Sequence, residues 1–260
     1  MAGGGRLVLA GGTDLYPQAG VRLTGPVLDV TALEEARGIS LSERGLRIGG
    51  AVTWAEIARA DLPPALAGLQ QAARRVGAGQ VQNAGTIAGN ICNASPAADG
   101  VPPLLTLEAE VELASPRGPR RVTLADFVTG PRRVAKTADE LVLAVHLPAR
   151  ALTGRAAFLK LGARAHLVIS IASVAVRLAD EGGRVGDIAL AVGACSPVPV
   201  RLAAVEAALR GAPPDGLADR VAAAEVVAAL SPIADVRATA EYRLRAAVEL
   251  VRRAVAEVAA

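Results

Sequence analysis

The run Asn83-Ala84-Gly85-Thr86-Ile87-Ala88-Gly89-Asn90-Ile91-Cys92-Asn93-Ala94-Ser95-Pro96-Ala97-Ala98-Asp99 sets small residues, amide side chains and hydroxyls along seventeen positions, with one acid at its end. A surface rich in donors and short of bulk suits a polyanionic ligand lying along the backbone. Thr86 and the amides of Ile87, Ala88, Gly89 and Asn90 can hold a pyrophosphate, and Asp99 can accept from a ribose hydroxyl. The alternative is an Asn- and Ser-rich loop that only satisfies its own backbone. The wider stretch from Gly77 to Pro103 holds five Gly, three Asn and three Pro with little periodicity, and it reads as one long ordered loop.

Elements are legible on both sides of that loop. Upstream, Leu7-Val8-Leu9-Ala10 is a short buried strand stopped by Gly11-Gly12, and Val27–Val30 and Leu46–Gly49 are further strands. Thr53-Trp54-Ala55-Glu56 has capping-box spacing, which opens a helix from about Trp54 to Ala60. Pro63-Pro64 ends that segment and starts a second helix, Ala65 to about Val76. Downstream, strands are expected at Ala109–Ala114, before a turn at Ser115-Pro116-Arg117-Gly118, and at Leu141–Leu147. Leu167–Leu178 and Val185–Val192 flank Asp180-Glu181-Gly182-Gly183 as an antiparallel hairpin. Three helices are expected after it, near Leu202–Leu209, Leu217–Leu230 and Ala238–Val258. The last carries a seam of Leu244, Val248, Val251, Val255 and Val258, with arginines on the other face. A boundary near Pro148–Thr153 divides the chain into residues 1–150 and 151–260.

A second glycine-bearing segment, Ala10-Gly11-Gly12-Thr13-Asp14-Leu15, comes directly after the first strand. Consecutive amides in a tight turn form an anion-binding nest; the plainer reading is a strand-ending turn with Asp14 capping the next segment. Neither stretch is a P-loop, since the GK[ST] ending is absent. Gly77-Ala78-Gly79-Gln80-Val81-Gln82 lacks the third glycine of a Rossmann fingerprint.

Composition narrows the classes. Apolar residues make up 52% and aromatics 2% of 260 residues, so the core must be built from Ala, Val, Leu and Ile. No apolar run approaches the roughly 18 residues of a membrane helix. Met1-Ala2-Gly3-Gly4-Gly5-Arg6 carries no signal-peptide pattern, so a soluble, cytoplasmic protein is expected. Net charge is +3, with Lys only at Lys136 and Lys160, and no basic tract accompanies aromatic platforms, which disfavours nucleic acid. Two cysteines, Cys92 and Cys195, and two histidines, His146 and His166, give no iron–sulfur or zinc signature. If electrons pass through this chain, an organic cofactor carries them. Cys92 reads as a packed thiol, His166 as structural or partner-facing, and His146 is given no role.

AGGTDL after an early strand, with N-x-GTI-x-GN-x-x-x-ASPAAD further along, resembles the FAD-binding subunits of molybdenum hydroxylases. That group includes the medium subunits of carbon monoxide dehydrogenase and the flavin domain of xanthine dehydrogenase. The likeness continues, in order, into Pro102-Pro103-Leu104-Leu105, Asp126-Phe127, Gly130, Phe158-Leu159-Lys160, Asp235-Val236-Arg237 and Tyr242-Arg243. It implies an α+β architecture: a two-part α/β FAD-binding domain of the vanillyl-alcohol-oxidase (PCMH) type, then a small C-terminal domain of antiparallel sheet plus helices. It also implies that Ala10 to Leu15 and Thr86 to Asn90 wrap the FAD pyrophosphate. Asp99 would lie on the ribose and adenine side, and Val142 would make a backbone or packing contact. Lys160 falls where the family places a cation beside the flavin, which would stabilise the reduced ring; the plainer reading is a solvated lysine on a strand.

The function implied is electron relay in a heterotrimer or its dimer. A large subunit would hold the molybdenum cofactor, and a small one two [2Fe–2S] clusters. FAD in this chain would pass electrons to NAD, dioxygen or another acceptor. A stand-alone FAD oxidoreductase of the same fold and a flavin-free assembly scaffold are the competing readings. The sequence departs from the family where Ala88 replaces a common Gly and Gln82 a common Arg, and relatives usually have an extra strand and helix before the first strand.

Overall fold

The computed structural model describes residues 7–19 and 23–260; Met1–Arg6, and any expectation about them, lie outside the described residues. The first strand, β1 (Leu7–Leu9), pairs in parallel with β2 (Val27–Asp29), and the short helix α1 (Leu15–Gln18) lies between them in the chain. Next in the chain are β3 (Ile39–Ser42), β4 (Gly45–Gly49), α2 (Trp54–Arg59) and α3 (Ala67–Arg75). The capping box of α2 is present in full: the Thr53 amide donates to Glu56 Oε2 at 2.8 Å, and the Glu56 amide donates to Thr53 Oγ1 at 3.3 Å.

The stretch expected as one long loop contains three helices, α4 (Gly79–Ala84), α5 (Ile87–Asn93) and α6 (Val101–Thr106). Each has six or seven residues, under two turns, too short to show an amphipathic period against so many Ala and Gly. Beyond them lie β5 (Glu110–Ser115), β6 (Gly118–Thr123), α7 (Leu124–Phe127), a ribbon of β7 (Val128–Gly130) and β8 (Arg133–Val134), and β9 (Leu141–Pro148). Strands β3, β4, β9, β5 and β6 pair in that spatial order into an antiparallel sheet. Its inner face joins α2, α3, α5 and α6 in one core that includes Trp54, Leu69, Ile87, Leu104 and Phe127.

The C-terminal part is a four-stranded antiparallel sheet of β10 (Arg155–Leu161), β11 (Ala172–Glu181), β12 (Arg184–Gly193) and β13 (Val200–Arg201). The β11–β12 hairpin turns through Gly182 and Gly183, both at positive φ, as the sequence pattern requires. However, β11 starts at Ala172; residues 167–171 of the expected strand form an irregular segment with Leu167 at φ +50°. Along β11, Val174, Val176 and Leu178 join the core beneath the C-terminal helix α10 (Ala240–Ala259), while Ala175 packs with Ala72 of α3. Both faces of this strand are therefore covered. Gly68 lets α3 approach β10, since a Cβ there would stand 3.1 Å from the Ala157 carbonyl oxygen.

Helix α8 (Ala203–Leu209) matches its expected position. The helix expected over Leu217–Leu230 is broken into a 3-10 turn, Leu217–Arg220, and α9 (Ala223–Ala228), because extended Val221 points into the core. On α10 one arginine leaves the exposed face. Arg243 is buried and donates to the carbonyls of Ile171 at 2.6 Å and Ala194 at 3.0 Å, and to Asp235 Oδ1 at 2.7 Å. The hydrophobic seam centres on Ala247, Val251, Ala254, Val255 and Val258, with Leu244 and Val248 at its margin. Among the described residues no helix is long and apolar enough to cross a membrane.

Candidate functional site

A cleft of about 470 Å³ runs between the β1–α1 turn and the α5 segment, with the start of β9 as its third wall. The turn is shaped by two glycines that have no substitute. A Cβ on Gly11 would stand 1.8 Å from the Ala84 carbonyl oxygen, so the two sides of the cleft meet backbone to backbone here. Gly12 sits at φ +70°, the left-handed region open to glycine. Among the described residues, the amides of Gly11, Gly12, Thr13 and Asp14 donate to no protein acceptor, and Asp14 makes no side-chain cap on α1. Four adjacent N–H groups without a protein partner, at the rim of a cleft, form a nest for an anion.

The α5 wall behaves differently. Thr86 caps α5 by accepting from the Gly89 amide at 3.1 Å, and its carbonyl accepts from the Asn90 amide at 3.1 Å. The Ile87 amide donates to Val52 O at 3.0 Å and the Ala88 amide to Gly50 O at 3.1 Å, beside a bridge between Thr53 and Thr86. All four amides expected to hold a pyrophosphate are thus engaged within the protein, a correction to the sequence reading. Ile87 does not line the cleft, because its side chain is fully buried in the core. Thr86, Ala88, Gly89 and Asn90 do line it, as do all of Ala10 to Leu15 and Val142.

The departures at Ala88 and Gln82 have local explanations. The Ala88 methyl packs toward Gly50, where a Cβ would stand 3.1 Å away, and Ala88 is not at positive φ, so glycine is not required there. Gln82 uses its amide to bind the carbonyls of Arg74 at 3.0 Å and Val76 at 3.1 Å, closing the end of α3.

Three further lining residues were not among the expected cofactor contacts. Trp54, 1% exposed, lies under the floor, and Lys136 supplies the one cationic side chain in the lining among the described residues. Cys92 also lines the cleft, with its thiol pushed up to about 11 by burial, which makes it a packed thiol and a poor nucleophile. Asp14, the one acid in the lining among the described residues, accepts from Asn93 Nδ2 at 2.8 Å. The Oδ1 atom of Asn90 is buried without a partner among the described residues. That atom lies toward Gly100, which is not in the lining, so the glycine-formed nest and one cation are what fit FAD, a dinucleotide with a diphosphate.

Asp99 and Lys160, expected on the ribose and adenine side and beside the flavin, lie outside the lining of this cleft and pair with each other. Lys160 Nζ donates to Asp99 Oδ2 at 2.6 Å and to Val168 O at 3.0 Å, and Ser170 Oγ donates to Asp99 Oδ1 at 2.5 Å. Both ionised side chains are nearly inaccessible, at 5% and 8% exposure. Burial pushes the Asp99 carboxyl above the usual carboxylate range, against the pull of Lys160 and Ser170. This cluster ties the Asp99 loop to the irregular segment after β10, which also reaches back through the Leu167 amide to Gly77 O at 3.2 Å.

The remaining candidates stand apart from the cleft lining. His146 Nε2 is 2.5 Å from Glu112 Oε2 across the five-stranded sheet, His166 is exposed, and Cys195 is buried in the C-terminal core. Among the described residues no group of three or more His, Cys, Asp or Glu is placed to hold a metal ion.

Residues 3–150 match the family described as the FAD binding domain in molybdopterin dehydrogenase, and residues 157–258 match the CO dehydrogenase flavoprotein C-terminal domain. The chain is 32% identical to the xanthine dehydrogenase FAD-binding subunit of Escherichia coli O157:H7, covering 97% of this chain and 88% of that protein. It is also 32% identical to the glyceraldehyde dehydrogenase medium chain of Sulfolobus acidocaldarius, covering 96% of this chain and 90% of the relative. The solved carbon monoxide dehydrogenase of Hydrogenophaga pseudoflava superposes with a TM-score of 0.88 at 29% identity, over 98% of this chain and 89% of that one. With the fold, the cleft and these likenesses in agreement, the chain belongs to the family of FAD-binding subunits of the molybdopterin dehydrogenases.

Proposed function

We propose that this chain is the FAD-carrying electron-transfer subunit of a molybdenum hydroxylase complex and that it acts in the cytoplasm. It would take electrons from [2Fe–2S] clusters of a small partner subunit and deliver them to NAD, dioxygen or another acceptor. A large partner subunit would hold the molybdenum cofactor, in a heterotrimer or its dimer. The observation that carries this reading is the cleft, where a nest of amides without protein partners shares the lining with one cation. The chain itself has only two cysteines, too few for an iron–sulfur cluster held by four thiolates, so clusters belong to another polypeptide. The free thiols Cys92 and Cys195 suit a reducing compartment.

Bound FAD supplies the redox chemistry, accepting and releasing one or two electrons. The chain's residues do the holding. Gly11 to Asp14 present amides to the diphosphate, with Ala10 and Leu15 flanking them. Thr86, Ala88, Gly89, Asn90 and Val142 shape the walls. Ile87 works from the core by fixing α5. Asp99 and Lys160 act by position: paired, they hold the segment after β10 against the edge of the site. In this division residues 1–150 form the cofactor domain and residues 151–260 brace it.

The test is a visible spectrum of the chain coexpressed with its large and small partners, before and after acid precipitation. Flavin released into the supernatant, and copurification of all three subunits, are expected. Flavin with no partners and NADPH oxidation by the chain alone would point to a stand-alone oxidoreductase. An assembled complex without flavin would point to a scaffold.

A further inference from the structure

We propose that Lys136 is the cation that anchors the diphosphate of the dinucleotide, and that its charge makes the cleft recognise the ADP half of its ligand. The proposal rests on the FAD reading of the cleft.

Lys136 is half-buried, lines the cleft and is its sole cationic side chain among the described residues. Its ammonium makes only long bonds, to Thr137 O at 3.4 Å and Glu140 O at 3.3 Å, and among the described residues it has no ion pair. Every nearby acid is otherwise engaged. The Glu140 carboxylate receives Arg120 at 2.6 and 2.9 Å and the Thr137 amide at 2.8 Å. Asp139 receives Arg117 and Thr137, and Asp14 receives Asn93. An ammonium partly withdrawn from water, with no counter-charge and N–H capacity remaining, is completed by an anion.

Its place is fixed before any ligand arrives. The Ala135 amide donates to Phe127 O at 2.8 Å, and Arg120 Nη2 donates to Ala135 O at 2.9 Å. The backbone leading into Lys136 is therefore pinned from two sides, which lowers the ordering cost of binding. Lys136 stands close enough to Cys92 to act on its thiol, and the next residue, Asn93, is the one that binds Asp14. The cation and the amide nest thus bracket the same end of the cleft. Two independent features, an ammonium without a counter-ion and four amides without acceptors, converge on one phosphate-bearing ligand.

The test uses the full chain freed of flavin and titrated with FAD, ADP and inorganic pyrophosphate. It is read by fluorescence of Trp54, the sole tryptophan, which lies under the cleft floor. Lys136→Met should weaken FAD and ADP by about ten- to hundredfold, the range for a hydrogen bond to a charged group. Lys136→Arg should restore most of the affinity, and added salt should weaken the wild type more than Lys136→Met. Melting of the ligand-free protein should be the same for all three. FAD binding indifferent to Lys136→Met and to salt overturns the proposal and leaves the FAD reading standing. ADP or pyrophosphate binding that needs Lys136, without FAD binding, keeps the anion site and overturns the FAD reading. No binding of any ligand overturns both.

Discussion

The β1–α1 turn and the Asp99–Lys160 cluster were expected to share one task, yet they are built on opposite principles. The turn leaves its amides without protein partners and keeps a void in front of them. The cluster closes on itself, with each ionised group meeting its complement at 2.6 Å and almost no water reaching either. A group left unpaired at the edge of a cleft is available to a ligand. A group paired in the interior holds the scaffold. The difference is set not by residue type but by what the rest of the chain brings alongside.

The comparison can be broken at its closed end first. Lys160→Met leaves the Asp99 carboxylate buried without its cation, and the unfolding free energy should fall by about 3–5 kcal/mol in denaturant titrations. Because burial raises the folded pKa of Asp99 above 3.8, the folded state holds that proton more tightly than the unfolded one. Stability linked to this proton is present at low pH and lost as pH rises through the raised value, so the deficit of Lys160→Met should shrink on acidification. Replacing both partners, as Asp99→Leu with Lys160→Met, should recover most of the loss. A Lys160→Met protein as stable as the wild type would show the pair to be incidental.

At the open end, Gly11→Val forces a side chain into the Ala84 carbonyl. FAD affinity should drop by about a hundredfold, and because the clash is with backbone the ligand-free chain should also lose stability, by about 1–3 kcal/mol, less than at Lys160. Asn90→Leu removes a buried acceptor that has no partner among the described residues and lies toward Gly100, so stability should be kept or rise and FAD affinity should change by less than about tenfold. The smallest effect is expected at Thr86→Ala, which removes the α5 cap and should cost about 1 kcal/mol of stability, with Thr86→Ser close to wild type. A large loss of FAD affinity at Thr86→Ala without loss of stability would mean that α5 binds ligand directly.

Local chemistry made part of this legible in the sequence. The strand stopped by Gly11-Gly12, the Thr53–Glu56 capping box and the Gly182-Gly183 hairpin depend on neighbours within a few residues, and all three formed. The strand, expected to be buried, leaves Val8 exposed and Leu7 and Leu9 only half-buried. Helices α4 to α6 were missed because six or seven residues carry no measurable period. The amides of residues 87–90 were misjudged because two of their acceptors, Gly50 and Val52, lie some 35 residues earlier in the chain. Arg243 was placed on a solvated face because helical spacing cannot reveal that Ile171, Ala194 and Asp235 converge on it. Of the two lysines, the sequence favoured Lys160 through its motif, whereas Lys136 stands in the cleft with no motif at all.

The Asp99–Lys160 pair also bears on recombination. Some bridges between the two halves tolerate exchange on one side, since Arg177 and Arg201 reach the backbone carbonyls of Thr106 and Leu105, which any residue supplies, although Arg177 also stands 3.9 Å from Glu108 and Gln71 accepts from the Phe158 amide. The ionic contact requires one particular side chain from each half. A chimera joining residues 1–150 of this chain to the C-terminal part of a relative should fold when the graft carries a cation at the position of Lys160, and should fail when it does not. Natural exchange among such subunits is therefore constrained where a buried side chain of one half must meet a particular side chain of the other, as at Asp99 and Lys160.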